Sequence, residues 1–250
     1  MSRHDLEWGG RTGGRLSATE EALLVLAAAG ALVRERLPRS RSAVDLVVAE
    51  QPPDSLFARR CLATAQERTG RVLLQHCLRT WLWADLVAQL DDVQADPELL
   101  YAACLLHDLG LVPTGPSPLP LDATDLACFA VEGAVEAHAI AVGSGYPRAT
   151  ELADAVALHL DVSVPMDLGA EAHLLHAGAS MDSLAIGLAR IPSGTRATVL
   201  ARHPRDGLLT TLIPLLGAEA VRRPRSRVGV MQRRLGFTDR LRHADARFCS

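Results

Sequence analysis

The sequence predicts an all-α protein, and three properties of the chain support that fold class. Ala and Leu dominate a composition that is 48% hydrophobic, and both residue types are strong helix formers. Aromatic residues make up only 4% of the 250 residues, and runs of β-branched residues are short. Apolar positions recur with a period of 3.6 residues, whereas alternating segments of the kind that form strands are nearly absent.

The first part of the chain predicts a tail followed by a helical extension. Residues 1–16 are polar and rich in Gly and Arg, so we expect a disordered tail. Ser17 and Glu20 form a capping-box pattern that opens the first helix. The segment from Ala22 to Val33 resembles the core of a signal peptide, but acidic residues precede it and it is too short to span a bilayer. We therefore expect a buried helix within an N-terminal helical extension over residues 17–53.

The middle of the chain contains most of the predicted helices. Residues 43–50 are ambiguous between helix and strand. The prolines between residues 111 and 122 indicate a stiff loop, which we interpret either as a pocket wall or as a plain connector. The capping and periodicity signals predict helices over residues 54–68, 72–90, 99–109, 122–142, 150–162, 168–180, 195–202 and 207–216.

Residues 218–250 are rich in arginine and are expected to pack on the preceding domain or to extend from it. An arginine cluster of this kind is usually a solvated surface, and contact with phosphate or nucleic acid is the lesser alternative. The net charge of the whole chain is −3, so no global attraction to nucleic acid or to an anionic membrane is expected.

The five cysteines are scattered and form no CxxC pair, which argues against a zinc knuckle or a disulfide framework. Four of them lie in apolar helical sequence and are interpreted as small core residues. This usage predicts a reducing, cytoplasmic location. The cysteines are Cys61, Cys77, Cys104, Cys128 and Cys249.

The stretch from Leu99 to Gly110 carries the clearest chemical signal. It is an apolar helix that ends in His107 and Asp108, followed by a glycine stop. Buried polar groups need partners, and a divalent metal ion would satisfy both side chains at once. The alternative is an ordinary helix C-terminus at which the Asp is solvated.

Two further residues complete a possible ligand set. His76 lies in the predicted helix 72–90, and Asp182 follows the predicted helix 168–180. Two neutral imidazoles and two carboxylates suit zinc, iron(II) or manganese. The ordered series His, then His-Asp, then Asp is a more specific signal than any single histidine.

This series resembles the HD-domain superfamily of metal-dependent hydrolases, and the resemblance is closest to its cyanamide hydratase-like branch. It implies a helical bundle over residues 54–217, with a metal site between helices held by His76, His107, Asp108 and Asp182. The resemblance depends on the segments HCLRTW, DPELLYAACLLHDLGL, FAVEGA, AVALHLD, LLHAGASMD and HPRDG.

The chain also departs from the family pattern. The first motif usually reads Asn-His-Ser, whereas here it is Gln75-His76-Cys77, and Ala130 replaces a frequent Glu. Members with two metals need a further His where this chain has Phe129, so the comparison implies a single divalent ion, with zinc foremost and iron or manganese as alternatives. His138 lies beyond Phe129 and is expected on the opposite face of its helix.

The resemblance also suggests roles for individual residues. Asp108 would bind the metal and hold the nucleophile. His159 would lie near the metal as a general acid or polarising group, with a buried core histidine as the alternative. Arg79 is a candidate for substrate binding, with a surface ion pair as the alternative, and His173 and His176 are assigned to packing.

The resemblance thus implies a metal-dependent hydrolase or hydratase that activates water to attack a small-molecule electrophile, such as a nitrile-like carbon. A phosphohydrolase acting on nucleotides or other phosphate esters and a non-catalytic regulatory protein with the same fold are the alternatives. The expected partner is a small-molecule substrate, with no nucleic acid and no membrane, and a homo-oligomer is possible.

Overall fold

The computed structural model describes residues 4–35, 45–112 and 128–248. Over these ranges the chain forms helices and no β-strand, so the all-α prediction is confirmed. The α-helices are α1 Leu6–Thr12, α2 Ala18–Glu35, α3 Leu56–Arg68, α4 Gly70–Asp91, α5 Pro97–Leu106, α6 Phe129–Gly143, α7 Ala149–Leu158, α8 Ala170–Leu184, α9 Ser193–Arg202, α10 Leu208–Arg222, α11 Arg227–Leu235 and α12 Phe237–Asp245.

The helix starts follow the capping signals of the sequence. The Ser17 backbone N–H donates to Glu20 Oε2 over 2.8 Å, and the Glu20 N–H donates to Ser17 Oγ over 3.2 Å, which completes the capping box. Asp96 accepts hydrogen bonds from the N–H groups of Glu98 and Leu99 at the start of α5. These caps satisfy backbone donors that have no partner inside the helix.

Helices α4 and α8 form the centre of the bundle, and a glycine sets their separation. A Cβ on Gly178 would lie 2.3 Å from the carbonyl oxygen of Thr80 and 3.0 Å from Ala84. The two backbones are therefore in contact, which places the middle of α8 against the middle of α4.

A second glycine brings the end of α5 against α6. Gly110 lies in a 3₁₀ turn, Leu109–Leu111, that follows α5. A Cβ at this position would lie 2.0 Å from the carbonyl oxygen of Phe129, so only glycine fits. This approach fixes Phe129 beside the His107-Asp108 pair.

The expectation of a disordered N-terminal tail is wrong for residues 4–16. This segment forms α1 and buries Trp8 and Leu16 against the domain. The His4 Nδ1 atom is 2.7 Å from Asp161 Oδ1, and the Leu6 N–H donates to Asp154 over 2.9 Å. The average composition is polar, but two large apolar side chains and these polar contacts offset the entropy cost of ordering.

The expectation that the helix from Ala22 is buried is also wrong. The segment is helical in α2, but Leu26 is 70% exposed and only Leu24 of its first turns is buried. No helix in the described ranges is both long enough and apolar enough to cross a membrane.

Two further sequence predictions concern irregular segments. Residues 45–50 have no regular secondary structure, and the main chain at Val47 exchanges two hydrogen bonds with the Gln89 side chain. The prolines of the predicted loop from 113 onward, and the start of the helix predicted at 122, lie outside the described residues.

The arginine-rich C-terminal segment packs on the domain through α11 and α12, whose Val228, Val230 and Leu241 are buried. A wholly solvated cluster is the wrong description of this segment, because two of its arginines are buried in ion pairs. Arg223 lies 2.7 Å from Glu132, and Arg227 lies 2.6 Å from Asp161.

Candidate metal centre

Three side chains meet where α4, the end of α5 and the following turn converge. His76 projects from the first half of α4, and His107 and Asp108 follow the last residue of α5. The two Nε2 atoms are 3.3 Å apart, and Asp108 Oδ2 lies 3.5 Å from His76 Nε2 and 3.4 Å from His107 Nε2. All three residues are buried.

The spacing of these atoms fits a metal ion. Ligand atoms that lie ~2.1 Å from a tetrahedral ion are separated by about 3.4 Å from one another. The three separations are therefore close to those between three corners of such a tetrahedron. The cluster can hold a divalent ion without rearrangement of the side chains.

Hydrogen bonds orient both imidazoles for this role. The Nδ1–H of His107 donates to the carbonyl of Cys104 over 2.8 Å, and Nδ1 of His76 lies 2.6 Å from Asp182 Oδ2. Both Nε2 lone pairs are thus directed at the cluster, an arrangement common around metal-bound histidines. Burial lowers the pKa of His107, which favours the neutral form that a metal ligand requires.

The structure places Asp182 behind His76 and not in the ligand cluster, so the prediction of a fourth direct ligand needs correction. Its Oδ2 atom contacts His76 Nδ1, and its Oδ1 atom accepts from Trp83 Nε1 over 2.8 Å. Arg79 donates to both oxygens over 2.8 and 2.9 Å. Burial alone would raise the pKa of Asp182, but Arg79 and His76 lower it well below its ordinary value. Asp182 is thus an ionised carboxylate that orients His76.

Arg79, the candidate for substrate binding, likewise lies behind His76 and away from the cavity wall. The side chain is fully buried, and its Nη1 atom donates to the carbonyls of His203 and Pro204 over 3.2 and 2.6 Å. Its remaining donors bind Asp182. Because α4 places Arg79 one turn after His76, the guanidinium reaches the same carboxylate and neither contacts a substrate nor forms a surface ion pair.

His159 lies beside the cluster at the end of α7. Its Nδ1–H donates to the Val156 carbonyl over 2.6 Å, so Nε2 carries a lone pair. That Nε2 atom is buried, has no hydrogen-bond partner and lies 4.0 Å from Asp108 Oδ1. Burial, followed by the neighbouring His107, lowers the pKa of His159 well below its ordinary value. The ring is therefore neutral, and its free Nε2 atom is a hydrogen-bond acceptor beside the cluster.

A cavity of about 250 Å³ adjoins the cluster and His159. Most of its wall is aliphatic. The polar side chains in the wall outside the cluster and His159 are Asp161, His176, Ser180, Ser183 and Arg240.

His176 is a cavity residue that sequence reasoning assigned to packing. Its Nδ1–H donates to the His159 carbonyl over 3.2 Å. His176, Ser180 and Ser183 recur at helical spacing along α8, and this polar stripe is the signal that identifies the cavity face.

The other histidines considered from the sequence stay away from this wall. His138 is partly exposed on α6 and does not line the cavity, whereas Phe129 on the same helix does. The Phe129 ring lies 5.6 Å from the His159 ring, so an apolar side chain stands where the resemblance would place the further histidine of members with two metals. His173 donates to the Val164 carbonyl over 2.6 Å, as expected of a packing residue.

Comparison with known proteins gives one family match. Residues 73–191 match the family model described as HD domain, and this range contains the three clustered ligands together with Asp182 and His159. The comparison with curated proteins returned no match. The family match supports the resemblance to the HD superfamily over residues 73–191, and three clustered residues of that segment could hold a metal ion.

Proposed function

We propose that the protein is a mononuclear metal-dependent hydrolase or hydratase that adds water to a small uncharged electrophile, such as a nitrile carbon. The observation that carries this proposal is the free Nε2 atom of His159. It is a buried acceptor 4.0 Å from Asp108, and it borders the same cavity as the metal ligands. A base in that position is suited to taking a proton from water.

His76, His107 and Asp108 would hold the ion, and zinc fits their tetrahedral spacing best. When bound, a divalent ion supplies Lewis acidity that makes a neighbouring water more acidic. His159 Nε2 accepts one proton of the attacking water while Nδ1 keeps its bond to Val156. The Asp108 carboxylate stabilises the positive charge that this transfer places on the ring.

For a nitrile the reaction then consists of one addition and two proton transfers. The water oxygen bonds to the nitrile carbon as one carbon–nitrogen π bond breaks, and His159 returns the proton to the nitrogen. Because burial disfavours the protonated ring, this return is favourable, and a further proton shift gives the amide.

Charges around the cavity favour a neutral substrate over a phosphate ester. Arg79 and Arg205 both bind Asp182, and Arg227 binds Asp161. Among the described residues, Arg240 is the only arginine of the cavity wall, and its Nε donates to the Leu235 carbonyl. Phosphate recognition usually employs arginines whose paired donors point at the ligand.

The proposal is tested with metal-loaded protein and three substrates, namely benzonitrile, cyanamide and phenyl phosphate. We expect hydration of a nitrile and no release of phosphate. Hydrolysis of phenyl phosphate alone would support a phosphohydrolase, and no turnover in this screen and in a wider set of nitriles and esters would support a regulatory role.

The same assay tests the role of His159. His159→Ala should retain the metal and lose about 10²–10⁴-fold in rate, because general acid–base groups contribute that much. His138→Ala is the matched control and should keep both metal and rate. An active His159→Ala protein would contradict the mechanism.

A further inference from the structure

The cavity beside the metal centre is built from two parts of the chain. The segment that matches the family model supplies the ligands, His159 and the α8 face. Helices outside that segment supply much of the remaining wall. Their apolar contributions are Ala28 and Ala31 from α2, Leu212 and Leu216 from α10, Met231 and Leu235 from α11, and Phe237 and Leu241 from α12.

We call these eight side chains the flanking wall. All of them are hydrocarbon or thioether groups. Together with His76, His107 and Asp108 they line the same cavity of about 250 Å³, which we call the chamber. A cavity of ~150 Å³ lined by such residues accommodates benzene. The chamber therefore has room for a body of roughly seven to ten heavy atoms, whereas cyanamide has three and is polar.

Beyond the metal ligands, two charged side chains line the chamber: Asp161 is paired with basic side chains, and Arg240 donates to a backbone carbonyl and has no carboxylate partner among the described residues. The Asp161 carboxylate is engaged by His4 and Arg227 at 2.7 and 2.6 Å. Arg240 caps the end of α11 through its bond to Leu235. Ser183 donates to the Ala179 carbonyl over 2.6 Å. An uncharged ligand body suits the flanking wall, because burying an unpaired charge against those apolar side chains would be costly.

We propose that the substrate is an uncharged molecule with an aliphatic or aromatic body of about six to eight carbons, and that the flanking wall selects it. The reacting group lies toward His76, His107 and Asp108, and the body lies against α2, α10, α11 and α12. This inference rests on the proposed function for the reacting end only. The apolar character of the ligand body is inferred from the side chains of the flanking wall and does not depend on the reaction.

The first test measures binding without turnover. Dissociation constants of metal-loaded protein for ethanol, butanol and hexanol are determined by calorimetry, since alcohols contain no bond that this chemistry hydrolyses. Burial of each methylene should tighten binding about fourfold, so hexanol should bind at least 100-fold more tightly than ethanol. Equal affinities along the series would overturn the proposal.

A matched pair of variants locates the binding. Ala28 lines the chamber, whereas the next residue of the same helix, Ala29, is exposed. Ala28→Phe should fill the chamber and weaken hexanol binding by at least tenfold, and Ala29→Phe should bind hexanol as the native protein does. Equal binding by Ala28→Phe and Ala29→Phe would contradict the assignment of the flanking wall.

The outcomes separate this inference from the proposed function. If alcohols show the chain-length gradient but no nitrile is hydrated, the apolar chamber stands and the reaction assignment fails. If acetonitrile and benzonitrile are hydrated equally well and no gradient is seen, the reaction stands and the chamber assignment fails. Leu212→Phe provides a second chamber-filling variant should Ala28→Phe fail to fold.

Discussion

Arg79→Met tests whether Arg79 supports the metal site from behind or contacts the substrate. The native guanidinium is fully buried, donates to both Asp182 oxygens and binds two backbone carbonyls. Met retains much of the side-chain volume but leaves the Asp182 carboxylate without its main partner. The expected effect is therefore on stability and metal binding, not on substrate affinity.

The size of the effect follows from the bonds that are lost. Two charge-assisted hydrogen bonds contribute about 1.5–3 kcal/mol each, and breaking a buried ion pair costs about 3–5 kcal/mol. Trp83, His76 and Arg205 still contact Asp182, so we expect about 3 kcal/mol, toward the lower end of that range. Adding Asp182→Asn should recover part of this loss, since the amide carries no charge.

Urea unfolding measures these free energies, and an exposed ion pair provides the control. Arg59 lies 3.0 Å from Asp54 on the surface, so Arg59→Met should cost less than about 1 kcal/mol. The reasoning would be refuted if Arg79→Met were no less stable than Arg59→Met and only raised the KM. That result would return Arg79 to the substrate-binding role.

Two further predictions concern helix packing and pH. Gly178→Ala should push α4 away from α8, lower the free energy of unfolding in urea by about 1–3 kcal/mol and reduce the metal content. Gly217→Ala is the control, because a Cβ at Gly217 meets no atom within 4 Å, and it should have none of these effects. Burial, then Arg79 and Arg202, lower the pKa of His203 from 6.5 to about 4. The unfolded chain then binds a proton that the folded chain does not, so the free energy of unfolding should fall as the pH drops from about 6.5 to 4. His203→Gln should show a shallower fall in urea midpoints across that range, and identical slopes would contradict the prediction.

The helices and the core of the metal site were accessible from the sequence because both depend on local signals. Caps such as Asp96 and the periodic apolar positions predict helix starts. His107 and Asp108 are adjacent, so the end of one helix positions both. The match to the HD domain model supports the superfamily resemblance, whereas the cyanamide hydratase-like branch stays a prediction.

The errors concern contacts between distant parts of the chain. Asp182 lies 103 residues beyond Arg79, and nothing in either local sequence indicates that the guanidinium reaches both carboxylate oxygens. The N-terminal segment is polar on average, yet Trp8 and the His4–Asp161 contact dock it. Composition describes how many apolar groups a segment has but not whether a complementary surface exists for them.

The metal content of the purified protein tests the account most directly. Elemental analysis of native protein should give about one equivalent of a divalent ion per chain, with zinc foremost. His107→Ala removes one of the three clustered ligands and should lose most of this metal, whereas His173→Ala, on a packing residue, should retain it. A native protein that binds no divalent ion, or a His107→Ala protein that keeps a full equivalent, would contradict the site.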